Sequence, residues 1–186
     1  SPMKRILAPI LLLVLLFPSL AFGETMSDLV ETDGLYYKKF TTVPFTGKIK
    51  GKTQGTFSNG RKHGPWVYYH DNGRLMDKGT YKDGKKEGLW VGYYYKGQLR
   101  NKESYSNGKK VGPFVSYYDN GQLNSKGTYK DGKTEGPYVW YWSNGQLGGK
   151  GTHKNGNRYG PWVSYRKNGT VWKEYTGTYK DSAKVD

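Results

Sequence analysis

The sequence predicts an all-β chain: an elongated, single-layer, twisted antiparallel sheet built from successive β-hairpins. Three observations predict it. A unit of 24 residues recurs at a constant step, starting at Gly55, Gly79, Glu103, Gly127 and Gly151. Each unit carries two turn signals separated by short aromatic and β-branched runs, the pattern of paired strands. No window places apolar residues at helical spacing.

In chain order, residues 1–23 read as an export signal. Lys4-Arg5 precedes an apolar stretch from Ile6 to Phe17, Pro18 breaks it, and Ala21-Phe22-Gly23 supplies small residues for cleavage after Gly23. The stretch is shorter than the roughly 20 residues that a spanning helix needs. Residues 24–34 hold Glu24, Asp28, Glu31 and Asp33 and read as an acidic, flexible linker. Residues 35–54 read as a degenerate opening hairpin, 55–176 as five repeats, and 177–186 as a truncated repeat and tail. Localisation is expected to be periplasmic or secreted.

Within a repeat the first turn is Asn59-Gly60, Asp83-Gly84, Asn107-Gly108, Asp131-Gly132 or Asn155-Gly156. These dipeptides suit the two positive-φ positions of a tight hairpin turn. Four residues later comes another Gly, then a run such as Trp66-Val67-Tyr68-Tyr69, then a second turn such as Asn72-Gly73. The returning run crosses into the next unit.

Strand parity sorts the side chains by face. Val67, Val91, Val115, Val139 and Val163 do not vary, nor do Tyr69, Tyr93, Tyr117, Tyr141 and Tyr165. Leu75, Leu99, Leu123 and Leu147 fill one slot of the return strand; Phe57, Tyr81, Tyr105, Tyr129 and His153 fill another. These constant positions are expected to be the packed face, with Gly79, Gly127, Gly151 and Gly177 leaving room for rings over backbone. Glu103 departs from that glycine slot, so the contact around it is expected to change. The varying positions of opposite parity, His70, Tyr94, Tyr118, Trp142 and Arg166 together with Trp140, are expected to form an aromatic binding stripe. At two strands per repeat it would recur about every 10 Å. Aromatic rings and Arg dominate protein interfaces, and such a ladder could also stack on sugar rings.

Composition excludes other classes. There is no cysteine, which rules out a disulfide scaffold, a Cys-based metal site and an acylated lipoprotein. Leu, Ile, Val and Phe make up only 22 of the 163 residues after position 23, too few for an aliphatic enzyme core, whereas 18 Tyr, 6 Trp and 27 Gly suit a turn-rich sheet. His63, His70 and His153 share no metal-ligand spacing, and His153 reads as a substitute ring in the Phe57 slot. No nucleophile–base pair or carboxylate pair emerges, so no catalytic residue, cofactor or metal is expected.

The run from Gly79 to Gly88, repeated from Gly127 to Gly136, resembles the MORN repeat. The following Pro-aromatic-Val-x-Tyr-Tyr-x-Asn-Gly-Gln-Leu is more closely similar to the bacterial MORN-variant family, over Leu35 to Lys180. The resemblance implies a groove-like sheet of hairpins and a scaffold, a protein-binding module or a lipid binder. It implies no catalytic residue. Some relatives are labelled antitoxin-like, which implies a neutralising partner, although an exported chain leaves the compartment of a cytoplasmic toxin.

The formal net charge of +15, or +13 without Lys4 and Arg5, concentrates on the repeats. Arg61, Lys62, Lys85, Lys86, Lys109, Lys110 and Lys133 recur in turns, and stacking the repeats is expected to align them as a basic rail. The rail serves solubility and edge protection, or attracts anionic lipid or glycan. Nucleic acid suits the charge and the rings but not an exported chain. The expected function is therefore a non-enzymatic module for an unidentified protein partner, with envelope binding of anionic lipid or glycan as the alternative.

Overall fold

The computed structural model describes residues 23–186, so the export-signal reading lies, apart from Gly23, outside the described residues. A first hairpin pairs β1 (Leu29–Thr32) with β2 (Leu35–Lys38). Then come β3 (Gly47–Ile49), β4 (Thr53–Ser58), β5 (Arg61–Tyr69), β6 (Leu75–Lys82), β7 (Lys85–Tyr93), β8 (Leu99–Ser106), β9 (Lys109–Tyr117) and β10 (Leu123–Lys130). The series closes with β11 (Lys133–Thr134), β12 (Gly136–Tyr141), β13 (Leu147–Lys154), β14 (Asn157–Ser164), β15 (Gly177–Lys180) and β16 (Ala183–Lys184). Strands β3 to β16 form one 14-stranded antiparallel sheet in sequence order, with β11 and β12 sharing the edge of β10. This is the hairpin array that the sequence predicts.

The two turns of each repeat differ as their residues require. Asn59 and Gly60 have φ of 48° and 74°, and Asp83 and Gly84 have 50° and 80°. Both central residues are left-handed, as in the type I′ turns whose twist matches that of the flanking strands. In the second turn only the glycine is left-handed, and the Asn closes an Asx turn: Arg74 N–H donates to Asn72 Oδ1 at 3.0 Å and Gln122 N–H to Asn120 Oδ1 at 3.0 Å.

Two register shifts recur in the repeats. One follows the strand glycine: between Gln54 and Thr56 the partner strand inserts Gly64, Pro65 and Trp66 opposite Gly55. Gly64 has φ of 70°, a conformation that a residue with a Cβ resists, and the resulting bulge turns the Trp66 ring onto the neighbouring strand. The other shift lies between Tyr68 and Tyr69.

Residues 24–34, expected as a flexible linker, are an ordered cap. Leu29 is buried in one cluster with Ile49, Phe57, Trp66 and Trp90. The cap closes on the first turn, with Tyr36 N–H donating to Gly60 O and Gly60 N–H to Phe45 O, both at 2.8 Å. Its acidity misled because Val30, Glu31 and Thr32 of β1 are exposed while Leu29 is buried. At the other end β15 and β16 continue the sheet, and Tyr179 is buried. Repeat arrays need such ends, since a terminal unit lacks one neighbour.

Candidate binding faces

One face carries the aromatic packing, in one run from Tyr36 to Tyr105 and another from Phe114 to Trp162. Trp66, Trp90 and Trp162 are 0%, 3% and 2% exposed. Each indole lies over a glycine of the preceding strand: a Cβ would stand 2.3 Å from the Trp66 ring at Gly55, 2.2 Å from Trp90 at Gly79, and 2.4 Å from Trp162 at Gly151. Each indole N–H donates to a backbone carbonyl, of Thr56, Thr80 and Thr152, at 3.2, 3.1 and 2.9 Å. Between them stand the rings of the Phe57 slot, edge to face: Phe57–Trp66 at 5.1 Å, Trp66–Tyr81 at 5.6 Å and Tyr81–Trp90 at 5.1 Å.

This corrects the assignment of the packed face. Val67, Val115, Val139 and Val163 are half-buried, as are Tyr69, Tyr93, Tyr117, Tyr141 and Tyr165 and Leu75, Leu99, Leu123 and Leu147; among these rows only Val91 is buried. The valines belong to the opposite face, where Val67 pairs across the ladder with Lys78, Val91 with Lys102, Val115 with Lys126 and Val139 with Lys150. The residues that sequence reasoning missed are Trp66, Trp90, Phe114, Tyr138 and Trp162. Their signal was the aromatic residue eleven positions after the first residue of each repeat.

His153 stacks between Tyr138 at 4.6 Å and Trp162 at 5.1 Å, and hydrogen-bonds Thr134 Oγ1 at 2.6 Å. Burial, with Arg158 nearby, holds its pKa below the ordinary histidine value. As pH falls, the unfolded chain therefore takes up the proton first. The stability contributed by neutral His153 is present above about pH 6.5 and is lost below it. His153→Tyr, which restores the ring of the other repeats, is expected to flatten urea-melt stability between pH 7 and pH 5.5; an unchanged slope would contradict this.

The expected aromatic stripe is largely a set of staples. His70 Nε2–H donates to Tyr93 O at 3.1 Å, Tyr94 OH to Tyr117 O at 2.7 Å, Tyr118 OH to Tyr141 O at 2.8 Å, and Trp142 Nε1–H to Tyr165 O at 3.0 Å. Each reaches 23 residues ahead and ties one second turn to the next. Asn72, Asn120 and Asn144 add parallel bonds to the carbonyls of Tyr95, Ser143 and Lys167. Arg166, at the end of the series, is exposed, its guanidinium 5.9 Å from the Trp172 ring. Trp140 packs edge-on to Trp142 at 4.8 Å.

The basic rail divides by parity. Arg61, Lys85, Lys109 and Lys133 are exposed, with Arg61 Cβ 3.8 Å from the Cβ position of Gly84 and Lys85 Cβ 3.5 Å from that of Gly108, so successive turns stack. Lys62, Lys86 and Lys110 instead turn inward over rings, at 4.7 Å from Trp66, 4.2 Å from Trp90 and 5.0 Å from Tyr129. Burial pushes Lys62 and Lys86 below the ordinary lysine range. Burial acts on Lys110 in the same direction, but Glu103 outweighs it and the net shift is upward. Tyr36, beneath Lys62, is pushed up to about 12 by burial and by Glu31.

The valine face carries a depression of about 690 Å³ across the third to fifth repeats. Its floor includes Pro113, Pro137, Pro161, Val139 and Val163, and Lys126 and Lys150 stand beside them. Among the described residues no group of three or more His, Asp or Glu could hold a metal.

The family model described as MORN repeat variant matches residues 62–83, 86–107, 110–131 and 134–155, each match falling one hairpin after the last. No curated protein matches the chain. Among solved structures, the GtfA/B complex bound to UDP and GlcNAc contains a chain 12% identical to this one, with a TM-score of 0.19. That likeness covers 72% of the present chain and 24% of the other, and at that score it extends to neither fold nor ligand. Four consecutive matches on one continuous ladder give the same answer as the geometry of the turns: the chain belongs to the MORN repeat variant family.

Proposed function

We propose that the chain is an exported, non-enzymatic module that holds a protein partner on the valine face of its sheet. Family membership supports a repeat-based binding or scaffold role. The observation that carries the finer reading is the 690 Å³ depression, apolar in its floor and flanked by Lys126 and Lys150. A partner surface with apolar side chains beside carboxylates complements it in shape and charge. The opposite face has already spent its largest rings on the array itself. A pull-down from the cell envelope is expected to capture one protein, and Val139→Glu/Val163→Glu to abolish capture without loss of the sheet signal in circular dichroism. Loss in Trp140→Ala/Trp142→Ala instead would move the contact to the staple edge. Mass spectrometry of the mature chain is expected to find Glu24 at its N-terminus.

A second reading has its own observation. Arg61, Lys85, Lys109 and Lys133 remain exposed along one stacked edge and suit anionic headgroups. Sedimentation with anionic vesicles that weakens as salt rises would favour it over a protein partner.

A further inference from the structure

The aromatic packing is interrupted in the third repeat, and a polar pocket opens there. Glu103 stands where Gly55, Gly79, Gly127 and Gly151 seat a ring, and Gly92 and Ser116 stand where Tyr68 and Trp140 carry one. The Phe114 ring, denied its place at position 103, lies over Gly127 instead, where a Cβ would meet it at 3.0 Å. The space left is about 420 Å³, lined by residues that include Arg100, Asn101, Glu103, Ser116, Asn124 and Tyr129. That falls in the roughly 300–1,000 Å³ range of small-ligand sites.

We propose that this pocket binds a neutral saccharide. Its polar groups are fixed before any ligand arrives. Arg100 donates to Asp77 at 2.7 Å and to Asn101 Oδ1 at 3.2 Å, Glu103 accepts from Tyr105 OH at 2.6 Å and pairs with Lys110 at 2.7 Å, and Ser116 bonds Ser125 Oγ at 2.7 Å and Asn124 Oδ1 at 3.2 Å. Both asparagines thus commit their oxygens to neighbours, and their NH₂ ends remain to donate to a ligand. Each cation of the lining is already paired with a carboxylate, Arg100 with Asp77 and Lys110 with Glu103, so neither is left free to hold an anion. A polyol does gain, because carboxamide, guanidinium and carboxylate groups offer paired donors and acceptors to adjacent hydroxyls. The rings of Phe114 and Tyr129, 4.4 Å apart, supply an apolar wall for the C–H face of a sugar. The site lies on the face opposite the depression assigned to a protein partner and does not depend on that reading.

The fourth repeat supplies the control. There Trp140 fills the corresponding space over Gly148 and Gly149, where a Cβ would stand 2.2 and 2.7 Å from its ring. Ser116→Trp/Asn124→Gly/Ser125→Gly copies that arrangement into the third repeat. The full chain is tested against an immobilised panel of neutral glucose, galactose, mannose and N-acetylglucosamine oligosaccharides, with sialylated and sulfated ones alongside. Retention of a neutral oligosaccharide is expected, with affinity at least tenfold lower in Asn101→Ala and no retention by the filled variant. Should the filled variant lose its sheet signal, Asn101→Ala decides alone, provided its spectrum is native. No retention of any neutral oligosaccharide, a preference for the charged ones, or unchanged affinity in the folded variants would overturn the proposal.

Discussion

Replacing Trp90 with alanine is expected to destabilise the array by about 3–5 kcal/mol, the usual cost of deleting a buried Trp ring. The indole is 3% exposed, it covers Gly79, and its N–H donates to Thr80 O at 3.1 Å. Three losses therefore coincide: apolar burial, an edge contact with Tyr81 at 5.1 Å, and a hydrogen bond. Lys86 also loses the ring that compensates its burial, 4.2 Å away. Urea melts of this variant should be set beside Val115→Ala on the other face, where a half-buried side chain is expected to cost about 1 kcal/mol. Equal costs would mean that the two faces share the packing, which the ring geometry denies. Because repeats contact only their neighbours, the damage is expected to show as broader or stepwise unfolding as well as a lower midpoint.

Gly79→Ala is the second large effect, and its sign is diagnostic. Gly79 does not have a left-handed φ, so backbone entropy alone would make alanine stabilising by about 0.4–1 kcal/mol. The new Cβ, however, would stand 2.2 Å from the Trp90 ring, and overpacking of this kind costs about 1–3 kcal/mol or more. A net loss is therefore expected. In Gly79→Ala/Trp90→Ala the clash disappears, so the double variant should fall short of the summed single losses by more than about 1 kcal/mol. Strict additivity would mean that the indole does not rest on Gly79.

What could be read from the residues, and what could not, divides along physical lines. The period, the hairpins and the positive-φ pairs at Asn59-Gly60 and its equivalents are local, and turn chemistry records local geometry directly. The glycine seats under rings at Gly79, Gly127 and Gly151 and the disturbance at Glu103 were also legible, because a missing side chain in a repeated slot implies a neighbour that needs the room; Gly177 departs from this, with Lys184 and Asp186 beside it instead of a ring. The packed face was not. Val67, Val115, Val139 and Val163 are constant but half-buried, Val91 alone of that row being buried, while the ring position varies among Trp66, Trp90, Phe114, Tyr138 and Trp162, of which the tryptophans are buried. A flat seat over backbone accepts Trp, Phe or Tyr, so constancy was a poor sign of burial there. The bulge at Gly64 further hides which ring meets which glycine, since Trp66 opposes Gly55 only through an inserted turn of chain. The staples escaped for another reason: His70 and Tyr94 lie at the start of turns, where strand parity no longer says where a side chain goes. Glu24, Asp28, Glu31 and Asp33 made residues 24–34 read as a linker, because Leu29 is the one buried residue of β1.

The central claim is that the tryptophan–glycine face is the core, which leaves the valine face for a partner. Indole hydrogen exchange, followed by NMR on the six Trp Nε1–H groups of the folded chain, tests it most directly. Trp66, Trp90 and Trp162 are predicted to exchange slowest, each buried and bonded to a backbone carbonyl. Trp142, part-buried but bonded to Tyr165 O, is predicted to be intermediate, and Trp140 and Trp172, with no indole acceptor among the described residues, fastest. Exchange of Trp66, Trp90 and Trp162 as fast as that of Trp172 would contradict the claim.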